Sequence, residues 1–335
     1  MLSSHSLLVA LALSTFACAE EGAPDAEAGE TGEQDLVGGR LARRGEHDAT
    51  MQIEGNCTVS KIGPRLILTA AHCVGGYVAG TTIRVGNAKA FGRFARTSAG
   101  LYAEYTLERV EIEPAWLATC AARECGSVHV SGTTEMADAA VLVTTADIAG
   151  VPEAAIDLAP VADGDLVVLT GYGCEDQVAG TWDYSGSRLR VSQTSAIPFT
   201  DTLHPGSFVN EQDRQNGTVD IMKGIYVITP GPEWVRTAGN TPPEAGNGRR
   251  GGLCPGDSGG PLYRAGSGPS VVVGINANYT FASGTEYQVD GRTFEYGGRP
   301  RTNWQTRVDG SSGLRVGQWL RTLGANAVCT RGTCK

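Results

Sequence analysis

Ser258 stands in the run Cys254-Pro255-Gly256-Asp257-Ser258-Gly259-Gly260-Pro261. A serine hydroxyl is a weak nucleophile until a base takes its proton and donors hold the oxyanion that its attack creates. Glycines on both sides open backbone conformations closed to other residues, so that N–H groups can turn toward a substrate carbonyl. A base is available far upstream in Thr69-Ala70-Ala71-His72-Cys73, directly after the apolar run Leu66-Ile67-Leu68. Between the two lies Asp138, ahead of Ala139-Ala140-Val141-Leu142-Val143. An aspartate there can hold the imidazole tautomer and stabilise its charge, with Asp147 and Asp157 as less favoured neighbours. The other histidines, His5, His47, His129 and His204, have no comparable surroundings. Nucleophile, base and orienter together describe acyl transfer.

The order His72, Asp138, Ser258, with the segments LTAAHC and GDSGGPL, resembles the trypsin/chymotrypsin family of serine endopeptidases. DAAVL around Asp138, LVGG at 36–39, GYG at 171–173 and QTRV at 305–308 resemble weaker landmarks of that family, and the likeness extends over roughly residues 36–323. It implies a serine-type endopeptidase acting on polypeptides through catalytic His72, Asp138 and Ser258. The N–H groups of Gly256 and Ser258 would form the oxyanion hole. No cofactor or metal is implied, and a protein inhibitor or an activating protease would be its further partners. The resemblance also implies an activation pair, in which cleavage between Asp35 and Leu36 frees an ammonium on Leu36 to meet Asp257. Here the chain departs from the family, because Asp35 replaces the basic residue that a trypsin-like activator needs.

The same comparison places a pocket for P1, the substrate side chain just before the scissile bond. Trypsins carry an aspartate six residues before the serine, where this chain has Gly252, and the pocket's edge strand falls on Ala277-Asn278-Tyr279. A pocket lined by Gly252, Ala277, Asn278 and Tyr279 holds no charge for Lys or Arg. Cleavage after uncharged, small-to-medium apolar residues is expected. Two other functions remain open: a latent or retired homolog acting as a binding or regulatory protein, and a surface adhesion or structural protein. Covalent labelling at Ser258 separates both from an enzyme.

Nine cysteines leave one over from four pairs, and the odd one is Cys18. Eight suit four disulfides in an oxidising compartment. The family's pair beside the histidine falls on Cys57 and Cys73. Cys120 with Cys125 and Cys329 with Cys334 are close enough in sequence to staple loops, which leaves Cys174 for Cys254 by elimination. No C-x-x-C or H-x-x-x-H spacing points to a metal.

The elements that must position these residues read as short strands. Thr82–Val85, Val110–Ile112, Ala140–Val143, Leu166–Leu169, Arg188–Val191 and Val271–Ile275 are apolar or alternating and bounded by turn residues. Leu314–Leu323 is the one convincing helix, amphipathic and stopped by Gly324. Many short strands and one terminal helix predict an all-β chain. The resemblance sharpens this to two six-stranded antiparallel barrels, about 36–155 and about 156–310, with the site between them, the helix at 314–323 and a disulfide-closed tail at 324–335. Residues 113–135 and 200–250 read as loops over or beside the cleft, where loops set specificity.

The N-terminus reads as an export signal. Leu7–Leu13 is a short apolar run followed by small residues, too short to anchor stably across a bilayer. Residues 1–19 form a signal peptide, or a lipoprotein signal ending before Cys18. Residues 20–35 form an acidic pro-segment or tether, rich in Glu and Asp and without a base. That segment carries most of the net charge of −9, and the nearly neutral remainder lacks the basic footprint of a nucleic-acid binder. A secreted or surface protein is expected, with membrane contact only through lipid on Cys18. The cysteine pattern and lipobox-like start suggest a bacterial exported member.

Overall fold

A computed structural model of the chain describes residues 36, 39–43, 45–53, 57–87, 102–123, 137–173, 176–178, 181–183, 188–198, 223–231, 251–266, 268–281, 287–289, 292–294, 300–331 and 334. The short strand β1 (Arg40–Leu41) comes first. Six strands then close an antiparallel barrel: β2 (Thr50–Ile53), β3 (Thr58–Gly63), β4 (Leu66–Thr69), β5 (Thr82–Gly86), β6 (Tyr102–Ile112) and β7 (Ala140–Thr144), in the order β2-β3-β4-β7-β6-β5.

The two apolar runs flanking the candidate histidine and aspartate become β4 and β7, which pair from Leu66↔Val143 to Thr69↔Ala140. Side chains alternate across a strand, yet every residue of both is buried. Ile67, Ala140 and Leu142 fill the barrel with Met51, Val59 and Val85. Leu66, Leu68, Val141 and Val143 face outward into a second core shared with Ile156, Tyr263, Val272 and Leu320. Unbroken apolar runs, rather than alternating ones, are what two-sided burial requires. Each of the Leu, Ile, Val and Met side chains among them contributes about 1.5–3 kcal/mol when withdrawn from water.

The second half is built from β8 (Ala155–Asp157), β9 (Leu166–Gly171), β12 (Arg190–Ser195), β13 (Tyr226–Pro230), β14 (Pro261–Arg264), β15 (Val271–Phe281) and β18 (Pro300–Arg307). Two separate hairpins are formed by β10 (Asp176–Val178) with β11 (Thr181–Asp183), and by β16 (Tyr287–Val289) with β17 (Arg292–Phe294). The main sheet runs β1-β12-β9-β14-β15-β18-β13. Of the two barrels expected, the first closes and the second is a curled, open sheet. Closure would need β12 against β13. The outer edge of β12 is already taken at Val191 and Arg190 by Arg40 and Leu41 of β1. Among the described residues the two ends are joined by a single backbone hydrogen bond, from the Ile197 N–H to Ile228 O at 2.9 Å, and Pro198 next to it has no N–H to extend a ladder.

Two segments expected to be loops contain structure. Residues 113–135 begin with helix α1 (Pro114–Arg123). Pro at the first helical position and Glu113 accepting the Trp116 N–H at 3.0 Å form its start. Residues 200–250 contain β13, whose Tyr226–Pro230 are all buried; the apolar, β-branched run Val227-Ile228-Thr229 was the overlooked signal. The terminal helix α2 spans Val316–Thr322, within the expected 314–323.

After α2 the chain adds β19 (Ala327–Val328), parallel to β8. Asp157, fully buried, receives Arg264 Nε, Thr330 Oγ1 at 2.5 Å and the Ala159 N–H at 2.9 Å. Arg331 bonds Asp165 at 2.7 Å. The Cys329–Cys334 disulfide closes this tail as expected.

Candidate active site

His72 lies in a 3₁₀ turn, Ala71–Val74, directly after β4, and Asp138 directly before β7. Because these strands are antiparallel neighbours, both residues emerge at the same end of the barrel. His72 Nδ1 sits 2.6 Å from Asp138 Oδ2, and the His72 backbone N–H donates to Asp138 Oδ1 at 3.0 Å. One carboxylate thus holds both ring and backbone. Asp138 is 1% exposed and the His72 side chain 18%. Burial alone would lower the His72 pKa, but the charge and hydrogen bond of Asp138 outweigh it and hold the imidazole above its ordinary range. The other carboxylates weighed for this place lie elsewhere, Asp157 being paired with Arg264.

The Cys57–Cys73 disulfide expected beside the histidine is present, with sulfurs 2.03 Å apart across 16 residues. Closing such a loop is worth about 3 kcal/mol in the chain-entropy account. Cys57, His72 and Cys73 offer metal-ligand atoms within 4.8 Å of one another, but both sulfurs are committed to the disulfide.

The Ser258 turn is tied to this loop by backbone. Thr58, next to Cys57, sends both its N–H (2.9 Å) and its Oγ1 (2.8 Å) to Gly256 O. Gly259 (φ +80°) packs so closely that a Cβ there would fall 2.2 Å from Thr69 Oγ1 and 2.9 Å from Ala70 N. Only glycine permits this approach two to three residues before His72. Ser258 itself is half-buried.

Within the turn, Asp257 N donates to Cys254 O, Gly259 N to Asn276 O and Gly260 N to Asp257 O, at 3.0, 2.7 and 3.0 Å. Among the described residues, the N–H groups of Gly256 and Ser258 donate to no protein group. These are the two donors expected to face an oxyanion, and Gly256 has a left-handed φ of +99°.

Asn276 was not foreseen. Its Nδ2 donates to Asp257 O at 3.2 Å and Thr170 O at 2.9 Å, while its backbone N–H bonds Gly260 O at 2.7 Å. It clamps the serine turn from behind. Tyr226 was missed with β13; its phenol is raised by burial and by the negative charge of Asp138, which places it in the carboxylate's field.

Asp257 is fully buried. Its carboxylate accepts the Gly173 N–H and the Cys254 N–H, each at 2.9 Å. Burial nonetheless pushes its pKa up to about 7, the two amides pulling it back only in part. No cationic side chain meets it among the described residues. Leu36 is 1% exposed, seated among Val161, Leu169, Leu253 and Leu262. Its φ of +44° is a left-handed backbone that a leucine rarely adopts.

Of the pocket residues, Gly252 and Ala277 are buried and Asn278 is half-buried. The side chain of Tyr279 lies outside the described residues, though its backbone pairs with Asn303. Cys254 is in a disulfide; its expected partner Cys174 lies outside the described residues, as does the Cys120–Cys125 pairing.

Among the described residues no helix is long and apolar enough to cross a membrane. No curated protein matches the chain. A family model does: the Trypsin model matches residues 36–296, which include His72, Asp138 and Ser258. An antiparallel barrel beside a curled sheet, a histidine held by a buried aspartate and a glycine-rich serine turn packed against the histidine loop agree with that match, and the chain belongs to the trypsin family of serine-type endopeptidases.

Proposed function

We propose that this protein hydrolyses peptide bonds through an acyl-enzyme on Ser258, with His72 as general base and then acid and Asp138 as its orienter. The observation that carries the reading is the double hold of Asp138 on His72, at ring Nδ1 and backbone N–H. It fixes Nδ1 as the protonated nitrogen and leaves Nε2 to take the Ser258 proton, which later passes to the leaving amine. The N–H groups of Gly256 and Ser258 stabilise the tetrahedral oxyanion, each such donor being worth about 2.7–4 kcal/mol.

The protein is made as a zymogen in this reading. Cleavage before Leu36 creates an ammonium for Asp257, whose raised pKa marks a buried carboxylate in want of positive charge. The burial of Leu36 beside Leu253 supports this, since its side chain already occupies the core of the half that carries Asp257. The P1 preference is for uncharged residues, supported by Gly252 in the pocket wall. Export, with or without lipid on Cys18, is the localisation that the N-terminal sequence favours.

A fluorophosphonate probe tests the catalytic reading. Mature protein should be labelled once per chain at Ser258, with labelling lost in Ser258→Ala and in His72→Ala. Folded, N-terminally processed protein that takes no label and cleaves no peptide is a binding protein instead.

A further inference from the structure

The tail beyond α2 is built into the second half rather than trailing from it. β19 lies along β8, with the Ile156 N–H donating to Asn326 O at 2.8 Å and the Leu158 N–H to Val328 O at 2.9 Å. The Cys329–Cys334 disulfide then closes a ring, and the first two residues inside it both reach inward. Thr330 donates from its N–H (3.2 Å) and its Oγ1 (2.5 Å) to the carboxylate of Asp157, which is 0% exposed. Arg331 Nη1 donates to Asp165 Oδ1 at 2.7 Å. Arg264 meets the same two carboxylates, with Nε on Asp157 and Nη1 3.3 Å from Asp165 Oδ2. Arg264 ends β14, a strand that starts at Pro261, three residues past Ser258. The ring and the serine turn are thus two ends of one chain of bonds. Cys329 is exposed, whereas Cys57, Cys73 and Cys254 are buried.

We propose that Cys329–Cys334 is a site of thiol–disulfide exchange with an external dithiol reductant, and that opening it releases the Thr330 and Arg331 contacts and slows reaction at Ser258. The effect on Ser258 rests on the protease reading; the release does not. A thiolate must reach a sulfur to attack it, so exposure decides which disulfide opens first. The attack falls on Cys329 Sγ, its bond to Cys334 Sγ breaks, and Cys334 leaves as a thiolate that takes up a proton. The second thiol of the reductant then attacks its own sulfur in the mixed disulfide and frees Cys329. Two electrons and two protons pass to the protein, and the dithiol becomes a disulfide. Once the ring is open, Thr330 and Arg331 are ordinary residues near a chain end, and chain ends stay ordered only where they are tied down. Asp157 loses two of its donors in a buried place, where an unmet acceptor is costly. Arg264 is left to hold that carboxylate with the Ala159 N–H alone, and β14, with the serine turn ahead of it, is held less firmly.

The test is graded reduction of the mature protein with dithiothreitol, followed by alkylation and peptide mapping. Cys329 and Cys334 should be alkylated at dithiothreitol concentrations at least about tenfold below those that open Cys57, Cys73 or Cys254. At that point amide exchange across residues 155–159 should quicken by about tenfold or more, the scale of one lost hydrogen bond to a charged group. The rate of fluorophosphonate labelling at Ser258 should fall by about threefold or more, the scale of coupling through a packed network. The final extent should stay at one label per chain, since loss of folded protein would lower the extent instead, and reoxidation should restore the rate. Thr330→Val keeps the ring and removes only the Oγ1 bond; it should reproduce part of both changes in the oxidised protein. Cys329→Ser together with Cys334→Ser should show both changes in full and no response to mild reduction. Should that double variant fail to fold, the wild type and Thr330→Val decide. Opening of a buried disulfide at the same concentration overturns the assignment. So does an opened ring with unchanged exchange or an unchanged labelling rate. Oxidised, folded protein that takes no label defeats the protease reading itself, while alkylation and exchange still decide the release.

Discussion

Replacing Asp257 by asparagine in the chain that still carries residues 20–35 is expected to reverse its effect on stability between acid and neutral pH. Without an ammonium, the folded carboxylate holds its proton to about pH 7, whereas the unfolded chain releases it near 3.8. Between those values the folded state binds more protons than the unfolded one, so stability falls as pH rises through that window and levels off above it. At about 1.36 kcal/mol per unit, the loss comes to roughly 4 kcal/mol by pH 8. Asparagine does not titrate there. It does, however, set an NH₂ against one of the two N–H groups of Gly173 and Cys254, costing about 1–3 kcal/mol at every pH. The variant should therefore be the less stable protein at pH 4 and the equal or more stable one at pH 8. Urea unfolding of both proteins at half-unit steps, each carrying Ser258→Ala to prevent self-cleavage, gives the two curves. A difference that stays constant from pH 4 to 8, or moves in the wild type's favour as pH rises, refutes the reasoning. Cleavage before Leu36 should abolish the downward slope in the wild type alone, because the new ammonium then favours the charged carboxylate.

Three further outcomes are expected. The rise of kcat/KM with pH should have its midpoint above the ordinary 6.5 of histidine, and Asp138→Asn should move that midpoint down while lowering kcat about 10⁴-fold, as read from ester and anilide pH profiles. Replacing Cys57 and Cys73 together by serine should cost about 3 kcal/mol in denaturant unfolding, the entropy of the 16-residue loop. Arg264→Met strands the buried Asp157 carboxylate and should cost about 3–5 kcal/mol, with most of it recovered by adding Asp157→Leu.

The catalytic candidates were legible because their surroundings are local. His72 and Asp138 each sit at the end of a continuous apolar run, and those runs are what two-sided burial demands. The glycines around Ser258 were legible for the same reason, since Gly259 answers to a close backbone approach and Gly256 to a left-handed φ. Asn276 and Asn303 were not. Most of their partners are backbone atoms that only the fold brings near, Thr170 O lying 106 positions from Asn276 and Gly251 O 52 from Asn303. Nothing in the residues beside them announces such a bond. Strand β13 was hidden by its polar, glycine-rich neighbours, and α1 by a cysteine that drew attention to loop closure. The open second sheet was illegible for another reason. Whether β12 meets β13 depends on β1 competing for one edge, a contest between segments about 150 residues apart.

The tail formed by β19 and Thr330 has a consequence for the order of events during synthesis. Asp157 and Arg264 belong to the sheet's interior, yet two of the carboxylate's hydrogen bonds come from the Thr330 N–H and Oγ1. A nascent chain that has emerged only through α2 holds every strand of the closed barrel but lacks that partner, and its β8 has no β19 beside it. The first barrel can form while translation continues. The second half reaches its full complement of bonds only after residues 327–331 have arrived, so the part that carries Ser258 matures last.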